Sequence, residues 1–469
     1  MEKLKFKGYW WLPSNSEVHS PGTLKYESNN TGTIEVICSD AVNWRKINHN
    51  DIILGLANNT EFTLCNCEII SDSFLSNTPT MLLRIKFIIK GKHFDSRKAI
   101  TINNAQVTFD YLSYWTNAEF SILRFKKDNT LKKQPISLLP PKKIKIPVNS
   151  NFNLYFVNTH HFNYSSRSLD INIKKYGYFD MQFINAISLD EFYQYLDQLN
   201  KFYCFSIQNV AHPISIFANK TKNDFNFEII IKKKYSKNSE KDHLQRSDML
   251  FMFDDIENDL TKIIPNWFNN YNTLDNIYTL YFGDLFGNQF LESKFLTMIQ
   301  VIEAYHRTFF PKAKPKIPRT EFKRRKKLIL SLLPPEDIEI FRDWFSASLI
   351  NSPSLKQRLE HLFENYNYVL KNFGDKNEFI EVAVNTRNSM SHALNGDKRD
   401  YEKFPIAKDY RNLYNLYLKT KLIVDVCFLD SLDLEEKLII NYLKNFWKYE
   451  SILKGKDYFK SFGLISDNE

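Results

Sequence analysis

The chain has 469 residues, 43% of them apolar, with 39 Phe and 25 Tyr, enough material for roughly two to four cored domains. Only 12 Gly and 16 Pro exclude a low-complexity or disordered chain. The net charge of +9 permits a polyanionic partner without requiring one, and five irregularly spaced cysteines (Cys38, Cys65, Cys67, Cys204 and Cys427) exclude a disulfide framework and point to a reducing compartment.

The opening residues, MEKLKFKGYWWLPS, lack the apolar region and cleavage site of a secretory leader. No window approaches about 18 uncharged apolar residues, so no membrane span and a cytoplasmic location are expected. Trp10 and Trp11 can stack on bases, but tandem aromatics that open a β domain read better as core.

The first half reads as β structure. Residues 33–38 (TIEVIC), 61–70 (EFTLCNCEII) and 80–90 (TMLLRIKFIIK) alternate with period two. Residues 100–110, 152–158, 169–174, 214–218 and 225–231 behave alike, with Asn, Ser, Asp and Gly clusters between them. Many short strands with polar turns predict a sandwich or barrel. Cys65 and Cys67 form a lone CxC without a second ligand pair, so packing is expected rather than metal binding. His160-His161 also lacks partners at metal spacing and reads as a strand-end feature. Residues 138–147 (LLPPKKIKIP) read either as a divider of two β subdomains or as an exposed loop. One helix interrupts the strands: Ser188 and Glu191 form a capping box ahead of Phe192, Tyr195, Leu196 and Leu199. Residues 232–246 are charged, lack apolar periodicity and read as a loop.

The character changes near residue 255, and the chain is helical from there to about 450. The boundary lies between 255 and 288, which predicts an α+β protein of two parts: a β-rich domain over 1–265 and an all-α domain over 266–469. Helices are expected at 290–310, with Phe295, Met298, Ile299 and Ile302 on its apolar face, and at 335–349, 354–372, 376–392, 406–428 and 433–447. The absence of G-x-x-x-x-G-K-[ST] argues against ATP hydrolysis, and neither H-E-x-x-H nor G-x-S-x-G occurs.

The chemistry-bearing stretch is 383–394, Ala-Val-Asn-Thr-Arg-Asn-Ser-Met-Ser-His-Ala-Leu, with Arg387, Asn388 and His392 near a helix end. Asn388 and His392 stand at i and i+4, so the amide can orient the imidazole. Arg387 and His392 are about 140° apart on an ideal helix. They converge only through the reach of Arg, a helix end, or a dimer interface. A neutral-pH imidazole and a permanent guanidinium suit RNA cleavage by the 2′-OH: one moves protons, the other holds the crowded phosphorane. That chemistry needs no metal or cofactor. The same residues can instead serve as dipole compensation and a helix cap.

Two further groups stand out. Glu303, His306 and Arg307 share a helix face and read either as support for Arg387 and RNA or as an exposed ion pair. Residues 312–327 (KAKPKIPRTEFKRRKK) hold nine Lys or Arg and one Glu. There Lys323, Arg324, Arg325, Lys326 and Lys327 are candidates for holding the RNA backbone. The alternative is a solvated loop and helix face, and the prolines suggest a partly ordered loop able to act as a gate.

Residues 383–394, in a helical region after Glu303-Ala304-Tyr305-His306-Arg307, resemble the HEPN superfamily. These are helical nucleotide- and RNA-binding domains marked by R-x(4–6)-H with a polar residue after the Arg. Gly8-Tyr9-Trp10-Trp11-Leu12-Pro13 followed by Pro21-Gly22-Thr23-Leu24 looks like the opening of the ApeA N-terminal domain. The order of a β-rich part and a HEPN-like part matches ApeA proteins. The resemblance implies antiphage defence by abortive infection, through a HEPN endoribonuclease restrained until infection. It also implies a homodimer or larger oligomer, a phage-derived trigger sensed by the β half, and RNA as substrate. Transfer RNA fits the class, though no residue selects it. The alternative is a non-catalytic HEPN adaptor that binds RNA or a nucleotide.

Overall fold

The computed structural model describes residues 3–27, 32–48, 51–73, 78–116, 142–165, 170–219, 227–231, 244–311, 317–344, 351–393 and 409–454. The chain forms two compact units, Met1–Phe268 and Asn269–Glu469.

The first unit holds β1 (Lys3–Trp11), β2 (Ser20–Glu27), β3 (Gly32–Ile37), β4 (Ile52–Ala57), β5 (Thr60–Ser73) and β6 (Thr80–Lys90). It continues through β7 (Thr101–Phe109), β8 (Lys142–Pro147), β9 (Phe152–Ser165), β10 (Asp170–Ser188), β11 (Pro213–Asn219) and β12 (Phe227–Ile231). The order is β3-β2-β1-β4-β5-β6-β12-β11-β7-β10-β9-β8, with β3 also paired to β6. The first half of β6 meets β3 antiparallel, Thr80 opposite Ile37 and Ile85 opposite Gly32, which closes β1–β6 into a barrel. Its second half, Phe87–Lys90, pairs with β12 and carries the sheet onward. The expected barrel-like β half is therefore present.

Trp10 is fully buried in the barrel core with Leu24, Ile34, Phe62 and Leu83, as its packing role requires. Space for its indole comes from glycine: a Cβ on Gly55 would lie 2.1 Å from Trp10 Cε3. The β4–β5 hairpin turns on Asn58 and Asn59, whose φ values of 49° and 59° give the twist a two-residue hairpin needs. Cys65 and Cys67 are both buried, and burial pushes the Cys65 thiol up to about 12.

Residues 142–147 are an edge strand rather than a loop, antiparallel to β9. Their lysines and terminal proline are the usual defence of an edge against further pairing. Residues 138–141 and 232–243 lie outside the described residues. His160 and His161 sit inside β9, not at its end, because that strand runs on to Ser165. Helix α1 (Leu189–Ile207) packs on β10 and β7. It begins at the expected capping box, with Glu191 N donating to Ser188 Oγ at 3.3 Å and Ser188 N donating to Glu191 Oε2 at 2.9 Å.

The helices that follow are α2 (Leu260–Phe286), α3 (Leu291–Phe309), α4 (Arg319–Ser331), α5 (Ile338–Trp344) and α6 (Leu355–Asn365). Then come α7 (Lys376–Ala393), α8 (Tyr410–Ser431), α9 (Glu436–Asn445) and α10 (Trp447–Leu453). Phe295, Met298, Ile299 and Ile302 are all buried, and α3 packs along α8. Two expected helices are shorter than their patterns: 354–372 breaks at Tyr366 (φ −105°, ψ 27°) and 433–447 at Phe446 (φ −80°, ψ 115°). Within 312–327, residues from Arg319 onward are helix, which agrees with the solvated helix face given as the alternative and not with a partly ordered loop; Pro318 stands at the N-cap, before the helix rather than inside it.

Candidate active site on helices α3, α6 and α7

Helices α3, α6 and α7 pack against one another. Arg387 lies on α7, half-exposed. Its Nη2 stands 3.8 Å from Glu303 Oε1 on α3, and its Nη1 donates to Asn388 Oδ1 at 3.2 Å. A guanidinium carries five N–H donors, so these contacts orient the group and leave donors for a ligand. Glu303 therefore reaches across from α3 to α7. Ser391 Oγ donates to Arg387 O at 2.9 Å. His392 lies five residues further on the same helix, one residue before its end at Ala393. The His392 side chain lies outside the described residues.

His306 differs from its expected place at an open cleft: it is 1% exposed. Arg358 Nη1 lies 3.1 Å from His306 Nδ1, and His306 Nε2 lies 3.2 Å from His361 Nδ1. Both ring nitrogens are occupied within the protein, so His306 cannot touch RNA directly. Burial, then the charge of Arg358, then His361 push its pKa down to about 4. Burial also lowers the pKa of Arg358, while Glu303 opposes that shift. Arg307 remains exposed.

Sequence reasoning missed Arg358 and His361. One sign was available. Arg358 falls on the apolar stripe of α6, between Leu355 and Leu362, and a charge on a buried stripe implies an internal partner.

The sign of the His306 shift fixes a pH dependence. The fold favours the neutral ring, so unfolded chains bind more protons between about pH 6.5 and 4, and the associated stability is lost as pH falls through that window. The loss is about 3 kcal/mol. Urea unfolding at pH 7 and pH 4.5 should show His306→Gln losing less stability on acidification than the wild type. An equal loss would assign the acid sensitivity elsewhere.

The basic residues lie on α4. Lys323, Arg324, Arg325 and Lys327 are exposed and Lys326 is half-exposed. Glu321 accepts from Arg324 Nε and Nη2 at 2.8 Å and from Arg325 Nε at 2.7 Å, which holds its carboxyl down to about 2. Lys326 Nζ donates to Arg342 O at 3.1 Å. Part of the positive charge is thus tied up locally. Residues 312–316 lie outside the described residues.

Among the described residues, no three His, Cys, Asp or Glu side chains gather as a metal site requires. No described helix is long and apolar enough to cross a membrane.

Two family models match the chain. ApeA N-terminal domain 1 covers residues 5–267, and Apea-like HEPN covers residues 296–438. The second span contains Glu303, His306, Arg358, His361, Arg387 and His392. Searches of curated proteins and of solved structures give no match. With the first model alone spanning more than half of the sequence, the chain belongs to the ApeA family and is an antiphage-defence HEPN protein.

Proposed function

We propose that the chain is a metal-independent endoribonuclease of antiphage defence, restrained until infection and then acting by abortive infection. The observation that carries the reading is the Arg387–Glu303 pair. A guanidinium is oriented by a carboxylate from another helix and left half-exposed, five residues before His392. The 2′-OH attacks the adjacent phosphorus, a new P–O2′ bond forms and the P–O5′ bond breaks. A 2′,3′-cyclic phosphate and a 5′-OH result. His392 moves the protons, a contribution of about 100- to 10,000-fold. Arg387 holds the phosphorane oxygens and Asn388 holds Arg387.

The angular separation of Arg387 and His392 supports a homodimer in which each protomer completes the other's site. Lys323, Arg324, Arg325, Lys326 and Lys327 would then hold the RNA backbone, giving salt-dependent affinity. The β unit is read as sensor and restraint, a phage product as the trigger, the cytoplasm as the compartment and transfer RNA as the leading substrate.

The end chemistry of RNA from infected cells tests this. Fragments should carry 2′,3′-cyclic phosphates and 5′-hydroxyls, and cleavage by the released protein should survive chelation of divalent metals. Fragments with 3′-hydroxyls and 5′-phosphates would overturn it.

A further inference from the structure

The Arg358–His306–His361 chain fixes more than packing. An arginine only donates, so the His306 Nδ1 facing it carries a lone pair. The neutral His306 ring then has its proton on Nε2 and donates to His361 Nδ1. His361 in turn has its N–H on Nε2. Its ring is part-exposed, flanked edge-on by Phe310 at 4.8 Å, and its hydrogen bond among the described residues is the one at Nδ1 to His306, on the side of the ring away from Nε2.

Burying an arginine at 4% exposure beside a histidine at 1% is costly, and apolar side chains would fill the space more cheaply. What the polar chain delivers is one imidazole edge at the surface with a defined donor. That edge belongs to the same three helices as Arg387. Glu303 stands 3.8 Å from Arg387 and is close enough to act on the charge of Arg358.

We propose that His361 touches the substrate as a fixed Nε2–H donor to a phosphate oxygen of the RNA, held in that tautomer by Arg358 through His306. This rests on the nuclease reading above. His361 acts beside Arg387, adding a neutral directional donor where the guanidinium supplies charge.

Full-length protein carries the test, by RNA fragmentation in infected cells and by histidine-selective nitrogen NMR. His361→Phe keeps a ring against Phe310 and removes both nitrogens. It should slow fragmentation by at least about tenfold, the scale of one hydrogen bond to a charged group, with an unchanged thermal midpoint. His361→Gln restores an N–H donor and should recover most of the rate. A purely structural residue would not separate these two variants at equal stability. The wild-type spectrum should show His361 as the Nε2–H tautomer, and an Nδ1–H tautomer would overturn the proposal. Wild-type fragmentation in His361→Phe, with fragmentation abolished in Arg387→Ala, overturns the role of His361 alone. Fragmentation that survives Arg387→Ala overturns the nuclease reading, and the role of His361 with it.

Discussion

Arg387→Lys is expected to suppress RNA fragmentation nearly as fully as Arg387→Ala, on the order of 100-fold or more. Charge alone does not explain the residue. Glu303 lies 3.8 Å from Nη2 and Asn388 Oδ1 lies 3.2 Å from Nη1, so two separate edges of one plane are held at once. Lysine is a compact point charge that can satisfy Glu303 but cannot present a planar fork to two phosphate oxygens. Fragmentation during infection, at matched protein levels, measures the difference. A lysine variant within about threefold of wild type would reduce Arg387 to an electrostatic role, because a well-aligned pair of phosphate hydrogen bonds is worth more than that.

Asp425→Ala should give the largest loss of stability in the helical unit. Asp425 is fully buried on α8. It accepts from Tyr281 at 2.7 Å, from Tyr449 at 2.5 Å and from Lys421 Nζ at 2.9 Å. Its removal leaves the Lys421 ammonium, only 6% exposed, without its counterion, a loss of about 3–5 kcal/mol. Removing both charges, in Lys421→Met with Asp425→Leu, should recover most of that loss, since a well-packed apolar pair avoids the desolvation of two ions. Chemical denaturation of the full chain, followed by far-ultraviolet circular dichroism, reads both variants. A loss below about 1 kcal/mol for Asp425→Ala would mean that water or the tyrosine hydroxyls satisfy the lysine. The consequence reaches the site, because α8 packs along α3, which carries Glu303 and His306.

Much of the fold was legible because period-two alternation is local. The 80–90 pattern matches β6 at both ends, and Ser188 with Glu191 marks the start of α1. The strands that were overlooked share physical reasons. Strand β4 (IILGLA) is nearly continuously buried, so it shows no alternation. Strand β2 carries Pro21-Gly22, which reads as a turn until pairing with β1 and β3 holds it extended. Strand β8 alternates Lys and Ile, but edge protection uses the same lysine and proline that mark loops. Helix α4 was obscured by prolines that sit before it rather than in it.

The site divides along the same line. The candidates Arg387, Asn388, His392 and Glu303 are read from spacing on single helices. His361 does not, because its significance comes from α6 packing on α3, a contact spanning 55 residues of sequence. His306 was noticed for its helical face, but the same packing that brings His361 to it also buries it. Spacing along one helix cannot tell a solvated polar face from one that another helix covers.

The most direct test compares phage plaquing and total RNA integrity in infected cells carrying the wild type or the Arg387→Ala/His392→Ala double variant. Protection with RNA fragmentation in the wild type, and loss of both in the double variant, is the expected result. Protection that persists in the double variant would contradict catalysis by these residues and move the defence function to binding.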